Sequence, residues 1–327
     1  MSILIQKTGI LTTVQDLGRT GFRHYGINPN GVMDTAAASI INTLLGNPEA
    51  EGVLEMHFPA DTVLFEDDAV FAVGGAELGA ELDGTPVQNW RPVFASRGST
   101  LKFTGKILGN RAYLAIAGGF HLERWLGSLS TNRVAGIGGF RGRKLKNGDR
   151  IFLNSKGAVP LRSGYRVSPS LIPRYASFPT VRITAGAEFD LLNALGEETL
   201  LKENFVISTD SDRMGFRLRG KTMHPRNEIE MASSAVNFGT VQLLPDGQVI
   251  ILMADHQTSG GYPRLANVAA VDLPLLAQLG PNDKVAFHLI TINEAEGLAC
   301  QFKRDLNLFR TACGFFSHEL TRKPTEK

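Results

Sequence analysis

The chain has 327 residues, of which 43% are hydrophobic and 20% are charged, so it has enough apolar surface to fold into compact domains. Its 34 Lys and Arg residues nearly balance 32 Asp and Glu residues, which argues against the positive field that nucleic-acid binding requires. We therefore expect no nucleic-acid partner, and the length predicts two domains.

The sequence carries no signal for secretion, membrane insertion or metal binding. The opening MSILIQKTGI lacks the apolar core of a signal peptide, and no run approaches the roughly 20 apolar residues of a membrane span. Two cysteines, Cys300 and Cys313, are too few for a disulfide framework. The seven histidines form no pair with ligand spacing. These features predict a cytoplasmic protein without membrane contact or bound metal.

Short β-prone runs recur between turn signals, a spacing typical of barrels and sandwiches. They cover residues 63–65, 70–73, 111–117, 181–184, 216–219, 240–244 and 249–254. A Ser- and Pro-rich stretch without hydrophobic periodicity separates the two halves. The sequence thus predicts a mainly β protein with two β-rich lobes. The predicted boundaries are an N-terminal domain over 1–160, a linker over 161–179, a C-terminal domain over 180–317 and a polar tail over 318–327.

Three helices are predicted among the strands. The first begins after Asp34, a suitable N-cap, and ends at Gly46. The second has Pro274 in its first turn and Gly280 just past its end, where each residue type is favoured. The third covers about residues 293–310.

The stretch GFRLRGKT at residues 215–222 matches the P-loop pattern GxxxxGK[ST]. A P-loop holds phosphates at the N-terminus of a helix. Here residues 216–219 alternate as a strand does, and His224 and Pro225 follow too soon for a helix. We interpret the match as a strand followed by a turn.

The segment NRVAGIGGFRGRKL, residues 132–145, combines glycines with arginines. Glycines such as Gly138 and Gly139 let backbone N–H groups converge on an anion, while Arg133 and Arg143 offer bidentate donors for a phosphate or carboxylate. A tight turn between strands with exposed arginines explains the same spacing. Both interpretations remain open at this stage.

A second polar stretch, residues 13–34, lies near the N-terminus and is rich in turns. Asp16, Arg19 and Met33 are candidates for substrate contact there. Alternatively, Asp16 and Arg19 form a local pair that holds the loop, and Asp34 only caps its helix. Sequence alone leaves these alternatives open.

The most suggestive segment follows the buried-looking strand at residues 249–254, because rigid scaffolds often place chemistry on strand-end loops. Glycines there permit close approach to a ligand, and a tyrosine offers a stacking face with a polar tip. The candidates are Asp255, His256, Gln257, Thr258, Gly260, Gly261 and Tyr262.

Five segments together resemble the biotin-dependent carboxyltransferase-like family, also called allophanate hydrolase subunit 2 or KipA. They are TVQDLGR at 13–19, GINPNGVMD at 26–34, GGFRGRKL at 138–145, SDRMGFRL at 211–218 and GTVQLLPDGQ…DHQTSGGYPR at 239–264. The resemblance implies a mainly β fold with a few short helices and a cyclophilin-like barrel as the C-terminal lobe. Three positions depart from the family pattern: Leu129 and His256, where arginine is common, and Ser234, where an acidic residue is frequent.

Stand-alone members of this length resemble the C subunit of ATP-dependent 5-oxoprolinase, which opens 5-oxoproline to glutamate. The resemblance therefore implies two partners in a heteromeric complex. One is like the B subunit of that enzyme (allophanate hydrolase subunit 1-like), the other is like its A subunit (a lactam utilisation protein), and ATP is bound with or by these partners. One alternative is a carboxyltransferase subunit of a urea-carboxylase-like enzyme, with biotin as cofactor. Another is a KipA-type antagonist of a kinase inhibitor, without chemistry.

Opening a lactam requires a group that holds the substrate carboxylate, a group that stabilises charge on the amide oxygen, and a proton carrier. As hypotheses, Arg213 and the Gly260-Gly261 backbone contact the anion or oxyanion. Gln242 and Gln257 recognise the amide, Asp255 or His256 transfers the proton, and Tyr262 and Met33 form apolar walls.

Overall fold

The computed structural model of the chain describes residues 1–154, 166–226 and 231–321. These residues form two compact units. The first unit comprises Met1–Leu17, Thr35–Pro173 and Gln301–Lys327, and the second comprises Gly18–Asp34 and Arg174–Cys300. The second unit thus takes a segment from the part of the chain that the sequence assigned to the N-terminal domain. The predicted linker and tail lie partly outside the described residues.

The first unit contains two antiparallel sheets. Its strands are β1 (Ser2–Lys7), β2 (Thr12–Gln15), β3 (Val53–His57), β4 (Thr62–Phe65), β5 (Ala69–Glu77), β6 (Ala80–Leu82), β7 (Thr85–Pro86), β8 (Pro92–Ala95), β9 (Thr100–Phe103), β10 (Leu108–Ile116) and β11 (Arg150–Phe152). The six-stranded sheet has the order β11-β1-β4-β9-β6-β7, and the five-stranded sheet has the order β2-β3-β10-β5-β8. Apolar side chains of both sheets share one core, in which Ile3 and Ile5 of β1 lie with Leu54 and Met56 of β3.

The second unit is built around a closed seven-stranded barrel. Its strands are β12 (Thr180–Ala185), β13 (Phe205–Ile207), β14 (Gly215–Arg219), β15 (Ser234–Ala235), β16 (Thr240–Leu243), β17 (Val249–Leu252), β18 (Ser259–Gly260), β19 (Arg264–Val268) and β20 (Lys284–Leu289). The barrel order is β12-β19-β16-β17-β14-β13-β20, and β12 closes it by pairing parallel with β20. Strands β15 and β18 form a separate two-stranded ladder.

The alternation of apolar residues along the barrel strands fills the interior. Phe216 and Leu218 of β14 and Val241 of β16 are at most 1% exposed and belong to one core, while the residues between them face outward. Met33, from the N-terminal segment of this unit, is fully buried in the same core. Strand β14 covers residues 215–219 of the P-loop-like match and ends before Gly220, so the interpretation of that match as a strand followed by a turn is confirmed.

Four α-helices occur in the described part of the chain: α1 (Thr35–Leu44), α2 (Ala194–Lys202), α3 (Leu273–Ala277) and α4 (Ile292–Thr321). Three short 3₁₀ helices cover Arg23–Tyr25, Phe189–Leu191 and Ala270–Asp272. The three predicted helices are confirmed, although α4 extends well beyond its predicted end. Among the described helices, none combines the length and apolar character that crossing a bilayer requires. The mainly β class with a barrel in the C-terminal half is confirmed.

Candidate functional site

A cavity of about 510 Å³ opens on the second unit, against strands β14, β16 and β17 of the barrel. Its size suits a small metabolite rather than a macromolecule. Apolar surface comes from Met214, Leu244, Ile250 and Leu252. The polar lining consists of Asp210, Asp212, Arg217, Gln242, Asp246 and Gln257, and Tyr262 completes the wall.

The floor of this cavity is a row of side chains across three neighbouring strands. Arg217 of β14 pairs in register with Ile250 of β17, which pairs on its other side with Gln242 of β16. The flanking residues in these strands point into the barrel core, so the three members of the row point outward. Sequence alternation thus places a cation, an apolar side chain and an amide side by side on the outer barrel surface.

Gln242 is only 1% exposed although it faces away from the barrel core. Its Nε2 donates a hydrogen bond to the Tyr262 carbonyl oxygen at 3.2 Å. A Cβ added at Gly260 would lie 3.0 Å from the Gln242 Nε2, so the glycine lets this backbone pack on the amide. Among the residues that the structure describes, the Gln242 Oε1 has no hydrogen-bond partner. A buried acceptor without a partner is costly and points to a donor that binds there.

The charge around the cavity is predominantly negative. Asp210, Asp212 and Asp246 line it together with one cation, Arg217. Asp212 also accepts hydrogen bonds from two backbone N–H groups of the following turn, at 2.8 and 3.3 Å. Within the described residues, no cluster of His, Cys, Asp and Glu has the geometry to hold a metal ion. The cavity therefore disfavours a multiply charged anion and leaves Arg217 as the contact for a single carboxylate.

Arg213 and Asp255 form a largely buried ion pair beside the cavity strands. The Arg213 Nε and Nη2 donate to the two Asp255 oxygens at 2.9 and 3.1 Å, and Nη2 also donates to the Gly31 carbonyl at 2.5 Å. The Asn30 Nδ2 donates to Asp255 at 2.7 Å. Neither Arg213 nor Asp255 lines the cavity. The Arg213 guanidinium is thus committed to a carboxylate and a carbonyl, and its contact with a substrate anion stays a prediction.

His256 is buried and hydrogen-bonded to its neighbour's backbone. Its Nδ1 donates to the Gln257 carbonyl at 2.5 Å, which requires the proton on that nitrogen. Burial lowers the pKa of His256, and the positive charge of Arg23 lowers it further, against the opposite effects of the Gln257 hydrogen bond and the Asp255 charge. A neutral buried imidazole outside the cavity lining fits a structural role better than the predicted proton transfer.

Comparison with known proteins decides the family. The model for the carboxyltransferase domain, subdomain A and B, matches residues 25–289, most of the chain. The chain belongs to this carboxyltransferase-domain family. The sequence resemblance is thereby confirmed, and the cavity lies inside the matched region.

Two curated relatives cover nearly the full chain, and both are C subunits of 5-oxoprolinase. The protein from Haemophilus influenzae is 37% identical over 286 residues, which are 88% of this chain and 90% of that protein. The protein from Escherichia coli is 36% identical over 301 residues, which are 89% of this chain and 92% of that protein. These relatives therefore match this chain in size as well as in sequence.

Solved structures of larger enzymes contain the same fold. The urea amidolyase of K. lactis superposes with a TM-score of 0.88 at 27% identity, covering 94% of this chain and 20% of that chain. The urea carboxylase of Kluyveromyces lactis gives the same TM-score and identity, covering 94% of this chain and 29% of that chain. This chain thus spans under a third of either enzyme.

The strand-end loop contributes its predicted residues unequally. Gln257 is exposed and lines the cavity, and Tyr262, which is 41% exposed, stands at its edge. Thr258 accepts a hydrogen bond from the Val236 N–H at 3.3 Å through its carbonyl, and a Cβ at Gly261 would be 3.5 Å from the Ser233 hydroxyl. Thr258 and Gly261 therefore support the loop rather than the cavity wall.

The predicted substrate contacts from the N-terminal segment have structural roles. Met33 lies in the barrel core instead of on a cavity wall. Arg19 is buried in the second unit, and its Nη1 donates to Asn30. Asp16 belongs to the first unit, where it is buried and accepts hydrogen bonds from the Ser128 and Ser130 hydroxyls at 2.7 and 2.6 Å. All three are explained by packing and loop anchoring.

The glycine-rich segment of the first unit is a tight turn. Gly138 and Gly139 both have positive φ, and a Cβ at Gly139 would lie 1.9 Å from the Thr131 hydroxyl. Arg143 forms a bidentate pair with Asp149 at 2.7 and 2.9 Å, which neutralises it, while Arg133 is exposed. Of the two interpretations left open by the sequence, the geometry favours the turn over the anion site.

Sequence reasoning missed four charged members of the cavity: Asp210, Asp212, Arg217 and Asp246. The signal for Arg217 was present, because it alternates with Phe216 and Leu218 and must face outward if they face the core. The three aspartates lie in loops, where no periodicity reveals direction. Their convergence depends on the closure of the barrel and could not be read from local sequence.

Proposed function

We propose that this chain is the C subunit of an ATP-dependent 5-oxoprolinase, which hydrolyses 5-oxo-L-proline to L-glutamate. The observation that carries the proposal is the 36–37% identity to two C subunits of 5-oxoprolinase, over 88–89% of this chain and 90–92% of theirs. A match that covers both proteins supports transfer of function better than a shared domain does. Both relatives are subunits, which supports a role inside an enzyme complex, and we place that complex in the cytoplasm.

The cavity supplies suitable groups for a small carboxylated lactam. Gln257 and Gln242 can hydrogen-bond an amide, and the Gly260 backbone packs against the Gln242 amide. Tyr262 offers an apolar face at the entrance. These residues bind and orient the substrate in the proposed site.

Two features of this chain support an ATP site on a partner. The P-loop-like match is a strand and a turn, and the Gly220 N–H, which would face a phosphate in a true P-loop, donates to Gln248 instead. The aspartates around the cavity would repel phosphate groups. Both observations support placing ATP on a partner, and we propose proteins like the A and B subunits of 5-oxoprolinase as the partners.

Reconstitution tests the proposal directly. The chain is purified and assayed for glutamate and ADP formation from 5-oxoproline and ATP, alone and with the two partners. We expect activity only in the complete mixture and only with ATP. Lactam opening by this chain alone without ATP, or an ATP-fuelled complex that leaves 5-oxoproline intact, would contradict the proposed function.

Two variants test the cavity within that complex. Gln257→Ala and Tyr262→Ala remove exposed cavity side chains and should reduce the rate while assembly, followed by gel filtration, is unchanged. Matched controls are Gln248→Ala, outside the cavity lining, and Tyr25→Ala, which is 72% exposed elsewhere on the same unit. Equal rates for cavity and control variants would remove the cavity from the mechanism.

A carboxyltransferase function is the second candidate, favoured by the structural match to urea carboxylase. In that case the partners include a biotin carrier, and the complex should transfer carboxylate from carboxybiotin to an amide acceptor. The two functions separate in one assay: avidin, which sequesters biotin, blocks the carboxyltransferase and leaves a 5-oxoprolinase unaffected.

A further inference from the structure

We propose that Arg217, Ile250 and Gln242 form a subsite for a molecule that carries a carboxylate directly beside an amide-type N–H group. In this subsite Arg217 binds the carboxylate, Ile250 supports the apolar ring atoms, and the Gln242 Oε1 accepts the N–H. The inference deepens the proposed function and rests on it for the choice of 5-oxoproline as probe. It assigns individual ligand groups to individual side chains.

The hydrogen bond of Gln242 fixes which end of its amide meets the ligand. Its Nε2 donates to the Tyr262 carbonyl. The reversed amide would set two oxygen acceptors against each other, so the network determines the orientation. The Oε1 is then a fixed acceptor, buried with a residue exposure of 1% and lacking a partner among the described residues, in a side chain that lines the cavity. Such an atom selects a donor.

The cation of the subsite follows from the neighbours of Gln242 in the row. On one side the row continues to Arg264, whose guanidinium is held by Glu188 at 2.7 and 2.8 Å. On the other side, beyond Ile250, lies Arg217, whose guanidinium makes no hydrogen bond or ion pair with any residue that the structure describes. Arg217 is therefore the arginine of this row that remains available to a ligand.

The spacing matches a small ring. Arg217 and Gln242 stand two strand spacings apart, roughly 9–10 Å between backbones. The exposed Arg217 side chain can lean over Ile250 toward the fixed Gln242 amide, so the two polar ends can meet one ligand whose carboxylate and N–H share a carbon. 5-Oxoproline has this arrangement, and its methylenes would rest on Ile250. A neutral lactam, or an N-substituted one, satisfies only one end of the subsite.

Equilibrium binding to the purified full chain tests the subsite without ATP or partners. Calorimetry compares 5-oxo-L-proline with N-methyl-5-oxo-L-proline, which lacks the N–H, and with 2-pyrrolidinone, which lacks the carboxylate. We expect each analogue to bind at least roughly tenfold more weakly, because N-methyl-5-oxo-L-proline leaves the buried Gln242 acceptor unpaired and 2-pyrrolidinone has no carboxylate for the Arg217 guanidinium. Equal affinity for the N-methyl compound, or no binding of 5-oxoproline at about 10 mM, overturns the proposal.

Matched variants assign the two ends. Gln242→Met should lower the affinity for 5-oxoproline to that for the N-methyl compound, and it should leave the affinity for the N-methyl compound unchanged. Arg217→Met should remove the preference for 5-oxoproline over 2-pyrrolidinone. The controls are Gln248→Met and Arg219→Met; Arg219 is the next outward-facing residue of β14 and lies outside the cavity lining.

The comparison of ligands on the unaltered chain stands even if a variant fails to fold, which thermal unfolding reveals. Failure of the subsite is also distinguishable from failure of the proposed function. A complex that hydrolyses 5-oxoproline with unchanged KM in both variants overturns the subsite alone. A chain that binds as expected, inside a complex that does not hydrolyse the lactam, contradicts the function alone.

Discussion

Removing one partner of the Arg213–Asp255 pair should destabilise the barrel strongly. The two side chains are only 6% and 12% exposed, and each oxygen of the carboxylate accepts from the guanidinium. Asp255→Ala leaves the Arg213 charge buried without its carboxylate, beside the neutral carbonyl of Gly31. Breaking a buried pair in this way costs about 3–5 kcal/mol, a large fraction of the stability of a typical domain.

A double-mutant cycle separates the interaction free energy between Arg213 and Asp255 from the effect of losing each side chain. Arg213→Met alone strands the carboxylate, and Arg213→Met with Asp255→Ala strands neither charge. We expect the double variant to cost at least about 1–2 kcal/mol less than the sum of the single variants. Arg219→Met, at an exposed arginine of β14, should change the free energy of unfolding by less than about 0.5 kcal/mol.

Urea unfolding with two probes measures these effects in the intended unit. Both tryptophans, Trp90 and Trp125, belong to the first unit, so their fluorescence reports on that unit, while hydrogen exchange of β14 and β17 amides reports on the barrel. The variants should lower the free energy of unfolding measured by hydrogen exchange of the barrel amides more than that measured by fluorescence of the first unit. Additive single costs, or an Asp255→Ala cost no larger than that of Arg219→Met, would refute the structural role of the pair.

Three further predictions concern the packing and titration of single residues. Gly139→Ala should lower the free energy of unfolding, measured with urea, by about 1–3 kcal/mol more than Gly136→Ala does. Both glycines have positive φ, but only a Cβ at Gly139 would lie 1.9 Å from the Thr131 hydroxyl. Burial raises the pKa of Asp61, so the folded protein loses stability as the pH rises through that pKa and the carboxyl becomes charged. The free energy of unfolding of Asp61→Asn, relative to that of the parent, should therefore be more favourable at pH 7 than at pH 4. The reverse order would contradict this prediction. Because the pKa of His256 is lowered, its contribution to stability is present above its unfolded pKa and is lost as the pH falls. His256→Gln should therefore lower the free energy of unfolding more at pH 7.5 than at pH 5.5. A loss of stability that does not depend on pH would refute the neutral buried state.

Strands could be predicted from the sequence because their signal is local. The seven β-prone runs all coincide with strands, since alternation such as Phe216 and Leu218 against Arg217 reports directly which side chains enter the core. Helix α2 gave no such signal. Its buried residues are Gly196, Thr199 and Leu200, which make no apolar stripe, and its clearest mark is the Asn193 N-cap, which accepts from the Gly196 N–H.

The candidate site could be predicted only in part because its polar contacts are long-range. The sequence assigned three residues of one strand and one loop to the same substrate site: Gln242, Gln257 and Tyr262. The structure places all three on the cavity. The choice between Arg213 and Arg217 was beyond local reasoning. It depends on which arginine meets Asp255, a contact across 42 residues of chain.

The discontinuous make-up of the barrel has a consequence during synthesis on the ribosome. Met33 emerges early, yet the core that buries it needs β20, which pairs with β12 near the far end of the chain. At about 5–20 residues per second, this methionine and its neighbours wait for tens of seconds before their hydrophobic surroundings exist. Translation pauses or chaperone binding in that interval should therefore affect the yield of folded barrel more than that of the first unit. Since both units consist of separate chain segments, dividing the gene at one position cannot produce either unit complete.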